Sequence, residues 1–446
     1  MSTISATNSN TQSRWNYYKD FANMVCSRES TYRTALDITA FDAPMMLADV
    51  FRGFKKFLES TLEGVTGTVM VVVSPILTGW VGKFIGKFIL SKERQKDTLQ
   101  YLKFSMSELR DYEKFKIAKN RIRSEEVEDK HFIASLYKQA NKTKKSEYYE
   151  TEAENVKDFC DRFKPTEDTM KEIYKFKKAT IVGESLVEGG FWGGYGLILR
   201  GFRKYILQED RFTGTKGYVS DEESEQLGES GGLNLFQKVV GVAAMFVSPI
   251  LNLFLLNKVE DREAVKNSRF LQMVDNNLET THGVYPKLGL LFTQTTIPKW
   301  ISIITLSQGW FERIERILKL CTVIPSWWLG HRVTNGTIAL NADKELSKKY
   351  NVNPGILIEP ECLKPAEKNE DTFFERIQKR FPEPAKIHHV LKSTEGEGKE
   401  ELHKEAEDLH AECLYKGFAL HSLLVFGLNM AVNYSTKLRA LWALKN

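Results

Sequence analysis

Two glutamates one helical turn apart, Glu184 and Glu188, stand just before the densest glycine run of the chain, Gly183-Glu-Ser-Leu-Val-Glu-Gly-Gly-Phe-Trp-Gly-Gly-Tyr-Gly196. Acids at i and i+4 share one helix face. Inside a bilayer such a pair marks an ion or proton site, or pairs with a base such as Arg200 or Arg203. At an interface it is a solvated helix start, where acids are routine. The glycines put Gly189 above Gly193 and Gly190 above Gly194, the small-xxx-small spacing that clears a helix face for another backbone. A phosphate loop is the rival reading of a glycine cluster. The sequence has no GxxxxGK[ST] and no convincing strand before the run, so phosphate binding is set aside.

A second constellation is Glu400-x-x-His403 followed a heptad later by Glu407-x-x-His410. An ExxH pair presents both side chains on one face, as carboxylate-bridged di-iron bundles use it, but those bundles draw the motifs from different helices. Two motifs on one helix cannot close around one metal pair. The segment reads better as a charged helix leading into an apolar run, and neither a metal nor a cofactor is expected. GxSxG, HExxH and the kinase motifs are absent. The five cysteines, Cys26, Cys160, Cys321, Cys362 and Cys413, form no CxxC pair, which argues for a reducing compartment and against a disulfide framework. Nothing favours an enzyme.

The elements that must carry these residues follow from how the chain distributes its apolar side chains. They are bunched into runs nearly free of charge, whereas a soluble chain mixes the two at helical period. No ionisable residue occurs from Val65 to Leu77, and the run continues as GWVGKFIGKFIL to Leu90, with Lys83 and Lys87 placed to snorkel. Val239 to Leu256, VVGVAAMFVSPILNLFLL, has about the length of a membrane span. Three further runs are weaker: Leu288 to Phe311, broken by Pro298-Lys299; Ile317 to Gly330; and Gly417 to Tyr434, followed by a basic and aromatic tail that suits an interface. A net charge of +5 over 446 residues gives no nucleic-acid signature.

The chain also repeats itself. Val65-x-Gly67 with Val73-Ser-Pro-Ile-Leu77 matches Val239-x-Gly241 with Val247-Ser-Pro-Ile-Leu251, and upstream Arg52-Gly-Phe-Lys-Lys-Phe-Leu58 matches Arg200-Gly-Phe-Arg-Lys-Tyr-Ile206. An internal duplication explains both, each copy being a hairpin with a basic bend and a returning VSPIL arm. Pro75 and Pro249 remove a backbone donor in each arm, so a kink is expected near both.

The expected fold is therefore all-α, a polytopic helical membrane protein with a duplicated hairpin. Residues 1–40 read as a polar tail without a cleavable signal peptide and 41–90 as the first hairpin. A charged helical insertion, 91–178, follows, with Pro165-Thr166-Glu167-Asp168 as a helix start. Residues 179–257 read as the second hairpin with an inserted loop at 208–233, 258–335 as further apolar helices, 336–412 as a polar region and 413–446 as an apolar helix with a basic anchor. The expected partners are the lipid bilayer and, through the glycine-rich helix, another protein or a second copy; no nucleic acid is expected. The expected place is a membrane, with the polar regions cytoplasmic. A structural or interaction role leads, with a transporter or channel-like role, or a peripheral all-α protein, as alternatives.

Overall fold

The structure, a computed structural model, describes residues 30–209, 214–215, 217–227, 235–278, 280, 291–307, 309–329, 336–358, 363 and 399–446. Its regular structure is helical, with no strand among the described residues, as the all-α expectation has it. The principal helices are α1 (Ser30–Val50), α2 (Phe54–Ile89), α3 (Tyr112–Gln139), α4 (Thr143–Arg162), α5 (Glu167–Gly193), α6 (Tyr195–Tyr205), α7 (Leu235–Ala243), α8 (Val247–Glu260), α9 (Ile297–Thr305), α10 (Trp310–Leu329), α11 (Gly336–Tyr350) and α12 (Lys399–Lys445). They form two units, one of Thr66–Arg316 with Ala443–Asn446, the other of Met1–Val65 with Ile317–Trp442.

In the first unit the charged region 91–178 builds a core of its own. Helix α3 starts at Asp111, whose carboxylate accepts from the Glu113 and Lys114 N–H groups, so that two orphan donors of the first turn are satisfied. The antiparallel α4 closes on it, and Phe104, Phe115 and Phe159 bury together with Tyr101. Phe104 stacks on Phe115, their centroids 4.6 Å apart. Helix α5 begins where Thr166 caps it, accepting from the Thr169 N–H, as the Pro-Thr-Glu-Asp signal predicts. Its Ile173 and Phe176 complete this core, and buried Lys177 donates to the carbonyls of Leu102 and Phe104. The division expected at 178/179 falls inside α5, which continues unbroken to Gly193. One helix thus joins the charged region to the apolar one.

Three expectations change in detail. The second basic block, Arg200 to Ile206, is not a bend. It lies almost wholly inside α6, where Arg203 is buried and paired with Glu312 at 2.5 Å, and that pair favours continuing the helix through Gly201. The first block does bend, because Gly53 takes φ +108° between α1 and α2, a conformation glycine adopts without steric cost. Residues 221–226 of the expected loop form a helical turn instead, since Ser220 and Glu223 close a capping box. The tail expected to 40 is helical from Ser30.

In the second unit Asp49, near the end of α1, lies buried against Lys319 of α10 at 3.0 Å, with Asn433 of α12 donating to it at 3.1 Å and Ser60 of α2 completing the set. An unpaired charge there would cost several kcal/mol, so the four side chains are mutually required. A separate core forms where α11 and α12 enclose Ile356, Leu357 and Ile358. Asp343 accepts from the Gly355, Ile356 and Leu357 N–H groups at 2.6–3.0 Å, which fixes that turn.

Back in the first unit, Asp275 accepts from both Arg110 and Arg262. Burial pushes its carboxyl up, but the two guanidiniums outweigh this and hold it below the ordinary 3.8. A carboxyl depressed in the folded state contributes stability that is present above its unfolded pKa and lost as pH falls through the folded one. Asp275→Asn is therefore expected to lower the thermal midpoint at pH 7 and to have a smaller effect below pH ~3. Melting curves at the two pH values check this; an equal loss at both would remove the ion pair from the account.

Candidate functional site

The site is built on the second half of α5, which lies between the two VSPIL arms. On one side is α2. Thr78 Oγ1 donates to Glu184 Oε1 at 2.7 Å, and the Ser74 hydroxyl bonds Glu188. On the other side is α8, whose Asn252 Nδ2 donates to Ser185 Oγ at 2.6 Å. A Cβ added at Gly189 would lie 2.2 Å from Ser248 Cβ. Gln294 adds a weaker bond to Ser185 at 3.3 Å. All nine of these positions are buried.

The register is the same on both sides. On α2, residue 78 meets 184 and 74 meets 188; on α8, residue 252 meets 185 and 248 meets 189. Moving up α5 by four residues moves down either arm by four. Each arm therefore runs antiparallel to α5, and the two arms run parallel to each other. The polar residues that do this are Ser and Thr in the first arm and Ser and Asn in the second, at corresponding positions relative to the two VSPIL segments. One helical turn separates them in each arm, so both meet the same neighbour.

Glycine sets the closeness of the second contact. A Cβ at Gly193 would lie 2.2 Å from the Ala244 carbonyl oxygen and 2.5 Å from Met245 Cα, both backbone atoms. The approach occurs where the arm leaves α-helical geometry, in the 3-10 turn Ala244–Phe246 between α7 and α8. Pro249 explains that turn: it lacks a donor and its ring crowds the carbonyl four residues back, at Met245. The kink expected near Pro249 is thus present as a change of helix type. Pro75 lies within α2, which is helical throughout, so the two prolines act differently.

The other expected positions fall as follows. Gly189 and Gly193 both face α8 of the same chain, so the glycine face is already occupied by an intramolecular partner. Arg200 is half-buried on α6, close to Arg203 and Glu312, and Arg203 pairs with Glu312 at 2.5 Å. His403 and His410 stand on α12, the first 3.6 Å from Glu407 and half-exposed, the second buried. No group of three or more His, Cys, Asp or Glu side chains that could hold a metal occurs among the described residues. Pro298 is the second residue of α9, directly after the π-helical turn Leu291–Thr296, so the run expected to be broken at Pro298-Lys299 changes helix type there.

Sequence reasoning missed Ser74, Thr78, Ser185, Asn252 and Gln294. The first two and Asn252 carried a usable signal, a polar residue one turn from another inside an otherwise apolar run. No family model, curated protein or solved structure matches this chain.

The geometry separates neighbouring glycines. Gly193→Ala would drive a methyl into backbone and is expected to cost about 1–3 kcal/mol or force the helices apart. Gly190→Ala, whose nearest neighbour is the Met245 oxygen at 3.8 Å, should be tolerated. Thermal unfolding of the two variants checks this, and equal midpoints would refute the close approach at Ala244.

Proposed function

We propose that this chain is a helical integral membrane protein of structural or interaction type. In this reading α2, the α7–α8 pair and α12 cross the bilayer, and α5 joins α2 and α8 to the helical platform formed by α3 and α4. The observation that carries the reading is the direction in which the long apolar helices face. Three of them are long and apolar enough to cross a membrane. On α2 the large apolar residues Val65, Val69, Val72, Ile76, Trp80, Phe84 and Phe88 are exposed, with Lys83 and Lys87 beside the last of them, whereas Ser74 and Thr78 are buried. On α7 and α8 Phe236, Val239, Phe246, Ile250 and Phe254 are exposed, and Ser248 and Asn252 are buried. On α12 Leu423, Leu438 and Trp442 are exposed, and Asn429, Asn433 and Thr436 are buried.

Water would favour the opposite arrangement. Each large side chain left exposed forfeits about 1.5–3 kcal/mol of burial, while polar groups inside need partners to be tolerated. Hydrocarbon reverses the first term and leaves the second. Lipid-facing helices then hold together through close packing and interhelical hydrogen bonds, each of about 0.6–1.7 kcal/mol, the two kinds of contact made by α5. The same reasoning weighs against the peripheral reading, in which these side chains would form a buried core.

We also propose that the two arms are copies of one unit, now diverged outside the VSPIL segment. Their common direction against α5 supports a parallel repeat rather than an inverted one. The platform, 91–178, and the ends of both arms at Lys92 and Asp261 would then share one side of the membrane, the cytoplasmic side in this reading. The transporter or channel-like alternative draws on one specific observation, the burial of Glu184 and Glu188 among the arms.

Alkaline extraction of membranes carrying the full chain should leave it in the lipid pellet; complete release into the supernatant would overturn the reading. The parallel repeat has its own check. In a cysteine-free background, Lys92→Cys and Asp261→Cys should react with an impermeant maleimide from the same side of sealed vesicles, and labelling from opposite sides would exclude it.

A further inference from the structure

We propose that Glu188, together with Glu184, forms a binding site for a small monovalent cation, either a proton or a sodium ion, at mid-height between the two arms. The proposal rests on the membrane reading above. Ser248 lies thirteen residues from Leu235 and twelve from Glu260 in an apolar stretch of 26 residues, which at 1.5 Å per residue is about 39 Å long. The neighbouring α5 residues, Glu188 and Gly189, are therefore near its centre. Carboxylates at such a depth are expensive, and where they persist they mark ion or proton pathways.

The oxygen atoms at this level are not all supplied with donors. Glu188 is 2% exposed; the Ser74 hydroxyl bonds it, and its Oε1 has no hydrogen-bond partner among the described residues. Ser248 Oγ and Asn252 Oδ1 are likewise buried without a partner. Ser248 packs on Gly189, the residue after Glu188, and Asn252 bonds Ser185, the residue after Glu184. Both open oxygens therefore stand on the second arm at the level of the acid pair, against the neighbouring face of α5. A buried acceptor without a donor is costly, the more so when charged. A bound cation removes that cost.

The surrounding charges point the same way. From α5 itself the group facing Glu188 is Glu184, of like sign. Helix α2 brings the uncharged hydroxyls of Ser74 and Thr78, and α8 brings the uncharged Ser248 and Asn252. From α9 the Lys299 ammonium lies over the Trp192 and Tyr195 rings, at 5.2 and 5.5 Å, one turn beyond Glu188. Arg203 of α6 is held by Glu312. Two carboxylates on adjacent turns repel each other, and a cation shared between them relieves the repulsion. The donor set is hydroxyl, amide and carboxylate oxygen, without thiolate or imidazole, which suits a hard ion and not a soft metal.

The test uses the full chain reconstituted in phosphatidylcholine vesicles and treated with dicyclohexylcarbodiimide, which modifies carboxyl groups that carry a proton in an apolar setting. Peptide mapping by mass spectrometry should find the adduct on Glu188, with a rate that falls about tenfold per pH unit above its midpoint. Glu188→Gln should abolish it. A proton site is indicated if sodium and potassium chloride act alike, and a sodium site if sodium alone slows the reaction at fixed pH; either outcome supports the proposal. Glu184→Gln, which removes the like charge and leaves the reacting group in place, should move the midpoint. An absence of adduct at Glu188, a rate indifferent to both pH and sodium, or a midpoint unmoved by Glu184→Gln would overturn the site. Failure of the membrane reading shows separately, as protein released from the vesicles by alkaline washing.

Discussion

The contact on which the first unit depends is that between the glycine face of α5 and the kinked arm made by α7 and α8. At Gly193 two backbones meet with no room for a Cβ, and the meeting point is the 3-10 turn that Pro249 imposes. The hydrogen bond from Asn252 to Ser185 needs that separation. The same helix is held at its other end by Phe176 and Lys177 in the aromatic core. A shift of α5 would therefore be felt in both places, which makes it the rigid link between the charged helices and the apolar ones.

Much of this was legible. The spacing of Gly189 and Gly193 foretold a close helix approach, and the proline in the second arm foretold a local break. What the spacing could not give is the partner. A small-xxx-small face fits an arm of its own chain and a second copy equally well, since nothing local distinguishes them. The same limit applies to Asp49, Lys319 and Asn433. They lie in separate helices, and Asp49 and Lys319 are 270 residues apart in sequence, so no periodicity joins them. Their burial comes from tertiary packing alone. The helical turn after Ser220 is a different case, since its cap chemistry is local: a serine with a glutamate three residues on.

The polar residues inside the arms are the most instructive misses. Ser74 and Thr78, or Ser248 and Asn252, look like minor interruptions when an apolar run is scored by its average. They matter because of direction. Each pair sits one turn apart, so both members face the same neighbour, while the isoleucines between them, Ile76 and Ile250, face outward. A scan for the polar side of an apolar helix, rather than for its mean character, would have marked these residues and predicted a polar helix between the arms.

The two arms also show how one kind of segment can serve two kinds of contact. The VSPIL segment is shared, and in both copies it presents a polar residue at each end of one turn to α5. The responses of α5 differ by one residue around its circumference: Glu184 and Glu188 turn to the first arm, Ser185 and Gly189 to the second. Opposite the acids the arm keeps hydroxyls, which can donate to a carboxylate without adding charge. Opposite the glycine it keeps a serine whose Cβ occupies the space that a larger α5 residue would need, and an amide that reaches Ser185. The basic blocks upstream, free of this requirement, have diverged in conformation, one into a glycine turn and the other into helix. On the duplicated reading, the segment that stayed alike is the one that both contacts with α5 constrain.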